Sequence, residues 1–97
     1  PILCASNVQT DPHISKLHTK QITSLLIRND LLVSTSMDGI VKFWKLEIKD
    51  GTLKIEQVGE FYCKSPILCA KFSYSQTSET IVIVADQYGH VNIIKWC

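Results

Sequence analysis

The chain has 97 residues, of which 45% are hydrophobic and 20% are charged, and its formal net charge is +1. This composition is that of a small globular domain, and so small a charge does not indicate a nucleic-acid or anionic-membrane surface. The longest apolar runs, such as TIVIVA at residues 80–85, are too short to cross a bilayer, so no membrane insertion is expected.

The first predicted elements are four strand-like segments with alternating apolar residues, separated by turn-forming pairs. The segments are QITSLLIRN (21–29), LLVSTS (31–36), IVKFWKL (40–46) and LKIEQVGEFYC (53–63), and the pairs are Asn29-Asp30, Asp38-Gly39 and Asp50-Gly51. An Asp-Gly pair between such segments is typical of a hairpin whose two central residues have positive φ. Phe61 and Tyr62, which end this set, are expected to pack between sheets.

A second set of predicted strands follows, rich in β-branched residues, as strands covered on both faces require. It consists of PILCAKFS (66–73), TIVIVAD (80–86) and VNIIKW (91–96). Superposing Gly39 on Gly89, at an offset of 50 residues, aligns GIVKFWK with GHVNIIK. Superposing His18 on Cys63, at an offset of 45, aligns HTKQITSLLI with CKSPILCAKF. A repeat of four strands every 40–45 residues or so is the period of a propeller blade.

This period predicts three parts. Residues 1–17 are expected to supply the last strands of a preceding blade, with PILCASN (1–7) as its third strand and HISKL (13–17) as its outer strand. Residues 18–63 form a complete blade, and residues 64–97 form a degenerate blade that lacks its outer strand. We therefore expect an all-β, incomplete ring of four-stranded antiparallel blades, cut from a longer propeller of about seven blades.

The segments LHTKQI, STSMDG and VKFWK resemble the WD-repeat family, whose pattern has Gly-His before an inner strand, then Ser-x-Asp-Gly, and then a strand ending in Trp-Asp. Leu17 replaces the Gly of this pattern, and Lys45 replaces its final Asp. The resemblance implies a structural tetrad of His18, Ser36, Asp38 and Trp44. The indole N–H of Trp44 would donate to a hydroxyl, with Ser36 as the first choice and Ser34 as the alternative. The hydroxyl would reach His18, and His18 would reach Asp38.

The second copy departs further from the pattern, because Cys63, Tyr88 and Ile94 take the places of the His, the turn Asp and the Trp. Trp96 comes two residues late. We expect all the polar members of the tetrad to be lost together here, since one left alone would be buried without a partner. His90, after Gly89, is expected to be an exposed turn residue.

Ser36, His18 and Asp38 are also the residue types of a hydrolytic triad. The repeat pattern accounts for all three together with Trp44, and no G-x-S-x-G elbow is present, so the chain is not expected to be an enzyme.

The cysteines and histidines lack metal-ligand spacing, so neither a metal nor another cofactor is expected. They are Cys4, Cys63, Cys69 and Cys97, and His13, His18 and His90. Free, buried thiols such as Cys69 fit a reducing, intracellular setting in the cytoplasm or nucleus.

The resemblance implies a non-catalytic scaffold that docks partner proteins or peptide motifs within a multi-subunit complex. Lys20 and Met37, placed by the repeat in loops at one face, are the candidate partner-binding residues. The other partners implied are the remaining blades; nucleic acid is not expected. The pattern is also similar to the spindle-checkpoint and messenger-RNA-export members of the family. The alternative is a non-catalytic propeller belonging to a larger enzyme or to a trafficking or motor complex.

Overall fold

The computed structural model describes residues 9–10, 17–73 and 80–96, and every regular element within these ranges is a β-strand. The strands are β1 (Gln9–Thr10), β2 (Ile22–Arg28), β3 (Leu31–Ser36), β4 (Ile40–Lys49), β5 (Thr52–Tyr62), β6 (Ile67–Phe72), β7 (Thr80–Asp86) and β8 (Val91–Trp96).

The described strands form two separate sheets, which are antiparallel except where β1 joins. The first has the order β5-β4-β3-β2, and the short β1 extends it by pairing in parallel with the start of β5. The second has the order β6-β7-β8. Every described element is a strand of one of these small sheets, and neither sheet closes on itself. The prediction of an all-β chain built from small antiparallel sheets is therefore confirmed. The strands predicted at residues 1–7 and 13–17 lie outside the described residues.

The turns depend on backbone geometry that only some residues adopt easily. Asp50 and Gly51 have φ values of 54° and 77°, which make the two-residue hairpin between β4 and β5 and carry β4 on to Lys49. The expectation that both residues of the Asp38-Gly39 pair have positive φ is wrong, because only Gly39 does, at 84°. There the Gly39 N–H donates to Ser36 O at 3.1 Å, and the loop needs three residues.

The pairing of the strands repeats from one sheet to the next. Ile22 pairs with Ser36 in the first sheet, and Ile67 pairs with Asp86 in the second. These pairs differ by the same 45 and 50 residues that superpose the two halves of the sequence. Both sheets also shift register directly after this pair. The internal repeat is therefore a repeat of structure.

The hydrophobic core lies between the two sheets. Val33, Val41 and Phe43 from the first sheet are almost fully buried against the second. The second sheet contributes a row of aliphatic side chains, namely Ile67, Val82, Val84 and Ile94. These residues follow the alternation of their strands, which directs one side chain in two toward the facing sheet.

Trp96 ties the two sheets together near the end of β8. Its ring stacks on Phe43 with 4.6 Å between centroids and 13° between planes. Gly59 makes room for the ring, because a Cβ on this residue would lie 2.5 Å from the Trp96 ring. Trp96 is therefore a contact between sheets and does not repeat the role of Trp44.

Each sheet also has an apolar face directed away from the other. Leu25 and Ile27 of β2 are exposed on the first sheet. Leu68, Val91 and Ile93 are exposed on the second. Within the described residues nothing covers these side chains, as expected if each sheet packs between two neighbours.

Candidate interaction site at the loop end of the sheets

Four loops gather at one end of the two sheets and are called here the loop end: residues 17–21, 36–39, 63–66 and 86–90. Backbone hydrogen bonds connect them in series. The Met37 N–H donates to Gln21 O at 2.9 Å and the Cys63 N–H to Gly39 O at 2.7 Å. The Gln87 N–H donates to Pro66 O at 3.1 Å. The loop end is thus a single connected surface.

A chain of side-chain hydrogen bonds supports the first two loops. The Trp44 indole N–H donates to Ser34 Oγ at 2.9 Å. The Asp38 carboxylate only accepts and so places the ring hydrogen of His18 on Nδ1, which leaves Nε2 to accept the Ser34 hydroxyl, 2.7 Å away. His18 Nδ1–H then donates to Asp38 Oδ2 at 3.0 Å. The structure therefore brings His18, Asp38 and Trp44 together through one hydroxyl.

That hydroxyl belongs to Ser34, and the prediction of Ser36 is wrong. Trp44 pairs directly opposite Leu32, so Ser34 is its diagonal neighbour on the same face. Ser36 is four residues from Leu32, roughly 13 Å along the strand, and out of reach of the indole. The Ser36 hydroxyl instead donates to Lys20 O at 3.2 Å and accepts from the Asp38 N–H at 3.1 Å. It connects the two loops but takes no part in the chain from Trp44.

Asp38 collects the donors at the end of this chain. Besides His18, its carboxylate accepts the N–H of Thr19 at 3.1 Å and that of Ile40 at 3.0 Å. Burial acts to raise the pKa of Asp38, but these hydrogen bonds outweigh burial and hold the pKa below its ordinary value. Asp38 is therefore a fixed anion that joins the loop before β2 to the loop before β4.

The second sheet has a different polar network, centred on Asp86, which sequence reasoning missed. The Ser65 hydroxyl and His90 Nδ1 both donate to Asp86 Oδ2. The N–H groups of Tyr88 and His90 donate to Oδ1, each at 2.9 Å. The hydrogen bond from Ser65 is the main cause that lowers the pKa of Asp86, against the opposing effect of burial.

This network does not replace the chain from Trp44, since the second copy has Cys63, Val84, Tyr88 and Ile94 at the repeat positions of His18, Ser34, Asp38 and Trp44. Asp86 occupies the repeat position of Ser36, and, like Ser36, it caps the turn by accepting the N–H two residues on. The signal was available in the sequence: an Asp at the end of an apolar strand, three residues before Gly89, is typical of a turn closed by its own side chain. His90 is exposed as predicted, yet its imidazole is anchored to Asp86.

Residues 18–96 match the family model described as the TEP-1 C-terminal beta-propeller. The chain belongs to this family. It is 27% identical over 81 residues to Telomerase protein component 1 of Mus musculus, which covers 84% of the chain and 3% of that relative. The same identity and coverage hold for Telomerase protein component 1 of Rattus norvegicus. No solved structure matches the chain.

Membership of a propeller family suggests a protein-interaction role for the chain. Loops at one end of the sheets are where such a role would place its contacts. Lys20 is exposed and Met37 half-buried, in loops joined by the Met37–Gln21 hydrogen bond. Phe61 and Tyr62, expected to pack between sheets, are both exposed at the end of β5. The loop end and the adjoining end of β5 therefore present cationic and aromatic groups to solvent.

The His18 network offers no reactive group to a substrate. His18 is 6% exposed and Ser34 is fully buried, so the serine–histidine pair lies beneath the loops. Every buried polar side-chain atom of the described residues has a hydrogen-bond partner. The arrangement is that of a satisfied internal network, which holds one geometry in place.

Neither thiol of the described residues is fully buried, whereas the prediction was of buried thiols. Cys69 was expected to be buried and is exposed, because the register shift after Ile67 places it on the outward face of the second sheet. Cys63 is half-buried, and burial, followed by the charge of Asp86, raises its pKa. In the parts of the chain that the structure describes, no three metal-binding side chains come together and no helix is long and apolar enough to cross a membrane.

Proposed function

We propose that this segment belongs to a non-catalytic propeller that serves as an interaction scaffold within a multi-subunit complex, and that its loop end contacts a partner protein. The observation that carries the proposal is the pair of polar networks around Asp38 and Asp86, which fix four loops while Lys20 stays exposed. Loops held by a rigid scaffold are where recognition residues concentrate. Lys20 and Met37 are the proposed partner contacts.

The chain from Trp44 through Ser34 and His18 to Asp38 supports a WD-repeat origin for the first sheet. On this basis residues 18–63 are a complete blade, residues 64–97 a degenerate blade, and residues 1–17 the end of a preceding blade. The remaining blades of the ring would then cover the apolar faces of both sheets. The chain spans 3% of the length of its curated relatives, so the rest of such a ring has ample room.

The relatives are named as a component of telomerase, which supports a place in a multi-subunit assembly and a nuclear or cytoplasmic setting. This gives a telomerase-type assembly more support than the spindle-checkpoint or messenger-RNA-export type. The alternative is that the propeller is the non-catalytic part of a larger enzyme or of a trafficking or motor complex.

The test compares proteins that co-purify with the full-length protein and with its Lys20→Glu and Met37→Glu variants, quantified by mass spectrometry. We expect a defined set of partners to fall at least fivefold in both variants, because a reversed or added charge in an interface costs on the order of several kcal/mol. Lys49→Glu, the same charge change at the opposite end of β4, is the matched control. Equal recovery from all four proteins would contradict the proposed contact surface.

A further inference from the structure

A cleft of about 450 Å³ opens at the loop end, between the end of β5 and the loop from β7 to β8. Three exposed aromatic side chains line it, namely Phe61, Tyr62 and Tyr88. Exposed aromatic rings grouped around a concave site are typical of binding surfaces, where such rings provide much of the contact energy.

The charges at this cleft are two carboxylates and one ammonium. Asp86 lines the cleft, and Glu60 adjoins it, because the hydroxyl of the cleft-lining Tyr62 donates to Glu60 Oε1 at 2.7 Å. Both carboxylates accept their hydrogen bonds from neutral donors and therefore stay anionic. Lys64 is the one cation among the described residues that line the cleft. Lys42, which pairs opposite Glu60, donates instead to a backbone carbonyl of the loop before β2 at 2.7 Å.

The negative charge acts on two titratable side chains that line the cleft. Burial, followed by the charge of Asp86, raises the pKa of Cys63. The hydrogen bond to Glu60, followed by the charge of Glu60, raises the pKa of Tyr62. Lys64 reverses neither shift, although it also lines the cleft. A cation that enters the cleft is therefore stabilised by its surroundings, and an anion is not.

The side-chain groups that the cleft still offers for hydrogen bonding are largely acceptors. The His90 Nδ1–H is used by Asp86, and the Asn92 amide donates to Cys63 Sγ at 3.8 Å. Because Nδ1 carries the ring hydrogen, the Nε2 atom of the exposed His90 is an acceptor, and the amide oxygen of Asn92 is another. Each oxygen of Glu60 accepts one hydrogen bond and can take a second.

We propose that this cleft binds an arginine side chain presented by a segment of a partner protein. A guanidinium is a cation, has N–H donors and no acceptor, and is planar, so that it packs on aromatic rings. The inference rests on the proposed function, since it names the chemistry of a partner for the same loop end. A nucleic acid fits poorly, because its phosphates would meet the negative charge of the same carboxylates.

Asp86 and Glu60 contribute in different ways. Asp86 already accepts four hydrogen bonds, so it acts on the bound cation through its charge. Glu60 is exposed and keeps room for further donors, so it is the carboxylate that the guanidinium contacts. Glu60→Gln removes the charge and keeps an oxygen for the Tyr62 hydroxyl, which makes it the substitution of choice.

The experiment selects random 12-residue peptides displayed on phage against the full-length protein and, in parallel, against two variants. One is the double variant Glu60→Gln/Tyr88→Ala, and the other is Glu56→Gln, the same charge change further along β5. We expect arginine-rich sequences from the parent and from Glu56→Gln, and loss of this enrichment in the double variant. Enrichment that is acidic, that is absent, or that persists in the double variant overturns the inference.

A selected peptide is then synthesised with a fluorescent label and titrated by fluorescence anisotropy. We expect replacement of its arginine by citrulline, which removes the charge, to weaken binding about tenfold or more. Tyr88→Ala should weaken binding about tenfold and Glu60→Gln about threefold. Lys64→Gln should tighten it about threefold, because it removes the opposing cation. Equal binding of the citrulline peptide, or weaker binding by Lys64→Gln, overturns the inference.

The two proposals can fail separately. If Lys20→Glu removes cellular partners but no arginine peptide is selected through Glu60 and Tyr88, the cleft inference fails and the interaction role stands. If arginine peptides are selected through Glu60 and Tyr88 while Lys20→Glu and Met37→Glu remove no partner, the cleft inference stands. The proposed Lys20–Met37 contact surface then fails.

Discussion

The hydroxyl of Ser34 lies between two ring nitrogens, accepting from Trp44 and donating to His18. Both partners are buried, so each nitrogen depends on this one oxygen for its hydrogen bond. Removing one partner of a buried pair costs more than the hydrogen bond contributes, because the remaining polar group stays desolvated. Within this hydrogen-bond network, substitution of Ser34 is therefore expected to reduce stability the most.

We expect Ser34→Ala to lower the free energy of unfolding by about 2–4 kcal/mol, since it leaves both the Trp44 N–H and His18 Nε2 without a partner. Ser36→Ala, a matched change two residues away, should cost only about 0.5–1.5 kcal/mol, because its hydroxyl serves partly exposed backbone groups. Urea unfolding of the complete propeller domain measures both. A larger loss in Ser36→Ala than in Ser34→Ala would contradict the network.

Asp38 and Asp86 make stability depend on acid pH. The pKa of each is lowered in the folded protein, so the unfolded chain binds more protons as the pH falls. Their contribution is complete above the ordinary carboxyl pKa of about 4 and is lost as the pH falls below it toward the lowered native pKa values. We expect the free energy of unfolding to decrease on acidification below about pH 4.

The measurement is denaturant unfolding of the propeller domain at a series of pH values. Asp86→Asn should flatten the decrease, and it should also be less stable at neutral pH, because its amide N–H₂ opposes the donors of Ser65 and His90. Asp50→Asn is the control, since Asp50 lies in an exposed hairpin. The same pH profile in the parent and in Asp86→Asn would show that Asp86 does not carry the effect.

At the scale of the elements, β5 of the first sheet packs directly against β8 of the second. A bulge sets Val58 out of register, so that Phe43 pairs with Gly59 and Trp44 with Gln57. Gly59 then lies directly against the Trp96 ring of β8. The bare backbone at this position allows the second sheet to dock on the first.

We expect Gly59→Ala to displace Trp96 from Phe43 and to lower the free energy of unfolding by about 1–3 kcal/mol, the usual cost of overpacking. Trp96→Leu alone should also destabilise. If the two residues are in contact, the double variant will cost less than the sum of the single ones, in a double-mutant cycle. Full additivity would contradict the contact.

The elements themselves could largely be predicted from the sequence. Residues 31–36, 80–86 and 91–96 were predicted as strands with the bounds that β3, β7 and β8 have, because alternation and turn residues define them locally. The strands β2, β4, β5 and β6 differ from the predicted bounds by one to three residues at an end, as where the Asp50-Gly51 turn carries β4 on to Lys49. The short β1, at Gln9–Thr10, was not predicted.

The side-chain networks could be predicted only in part, because they depend on which residues face each other across strands. Choosing Ser34 over Ser36 requires knowing that Trp44 pairs with Leu32. The Asp86 network requires Ser65 and His90 to converge from two loops, and no local pattern brings them together. The exposure of Cys69 follows from a register shift that alternation does not reveal.

At the scale of the whole molecule, the two sheets form one shared core and leave two outer faces uncovered in the described residues. In a propeller each sheet packs between neighbours, so these faces are the places where adjoining blades would contact the segment. Ile93 lies on the outer face of the second sheet and is 70% exposed here. Lys49 is also exposed, next to the Asp50-Gly51 turn at the outer end of β4.

The outer face of the second sheet gives a test of the ring. In the full-length protein we expect Ile93→Ala to cost about 2–4 kcal/mol, as truncation of a buried isoleucine does, and Lys49→Ala, at the exposed hairpin, to change stability by no more than about 0.5 kcal/mol. Thermal or denaturant unfolding of the propeller domain measures both. If Ile93→Ala costs no more than Lys49→Ala, no blade covers the second sheet. The segment would then expose an apolar face that invites self-association, and size-exclusion chromatography of the same protein would detect it.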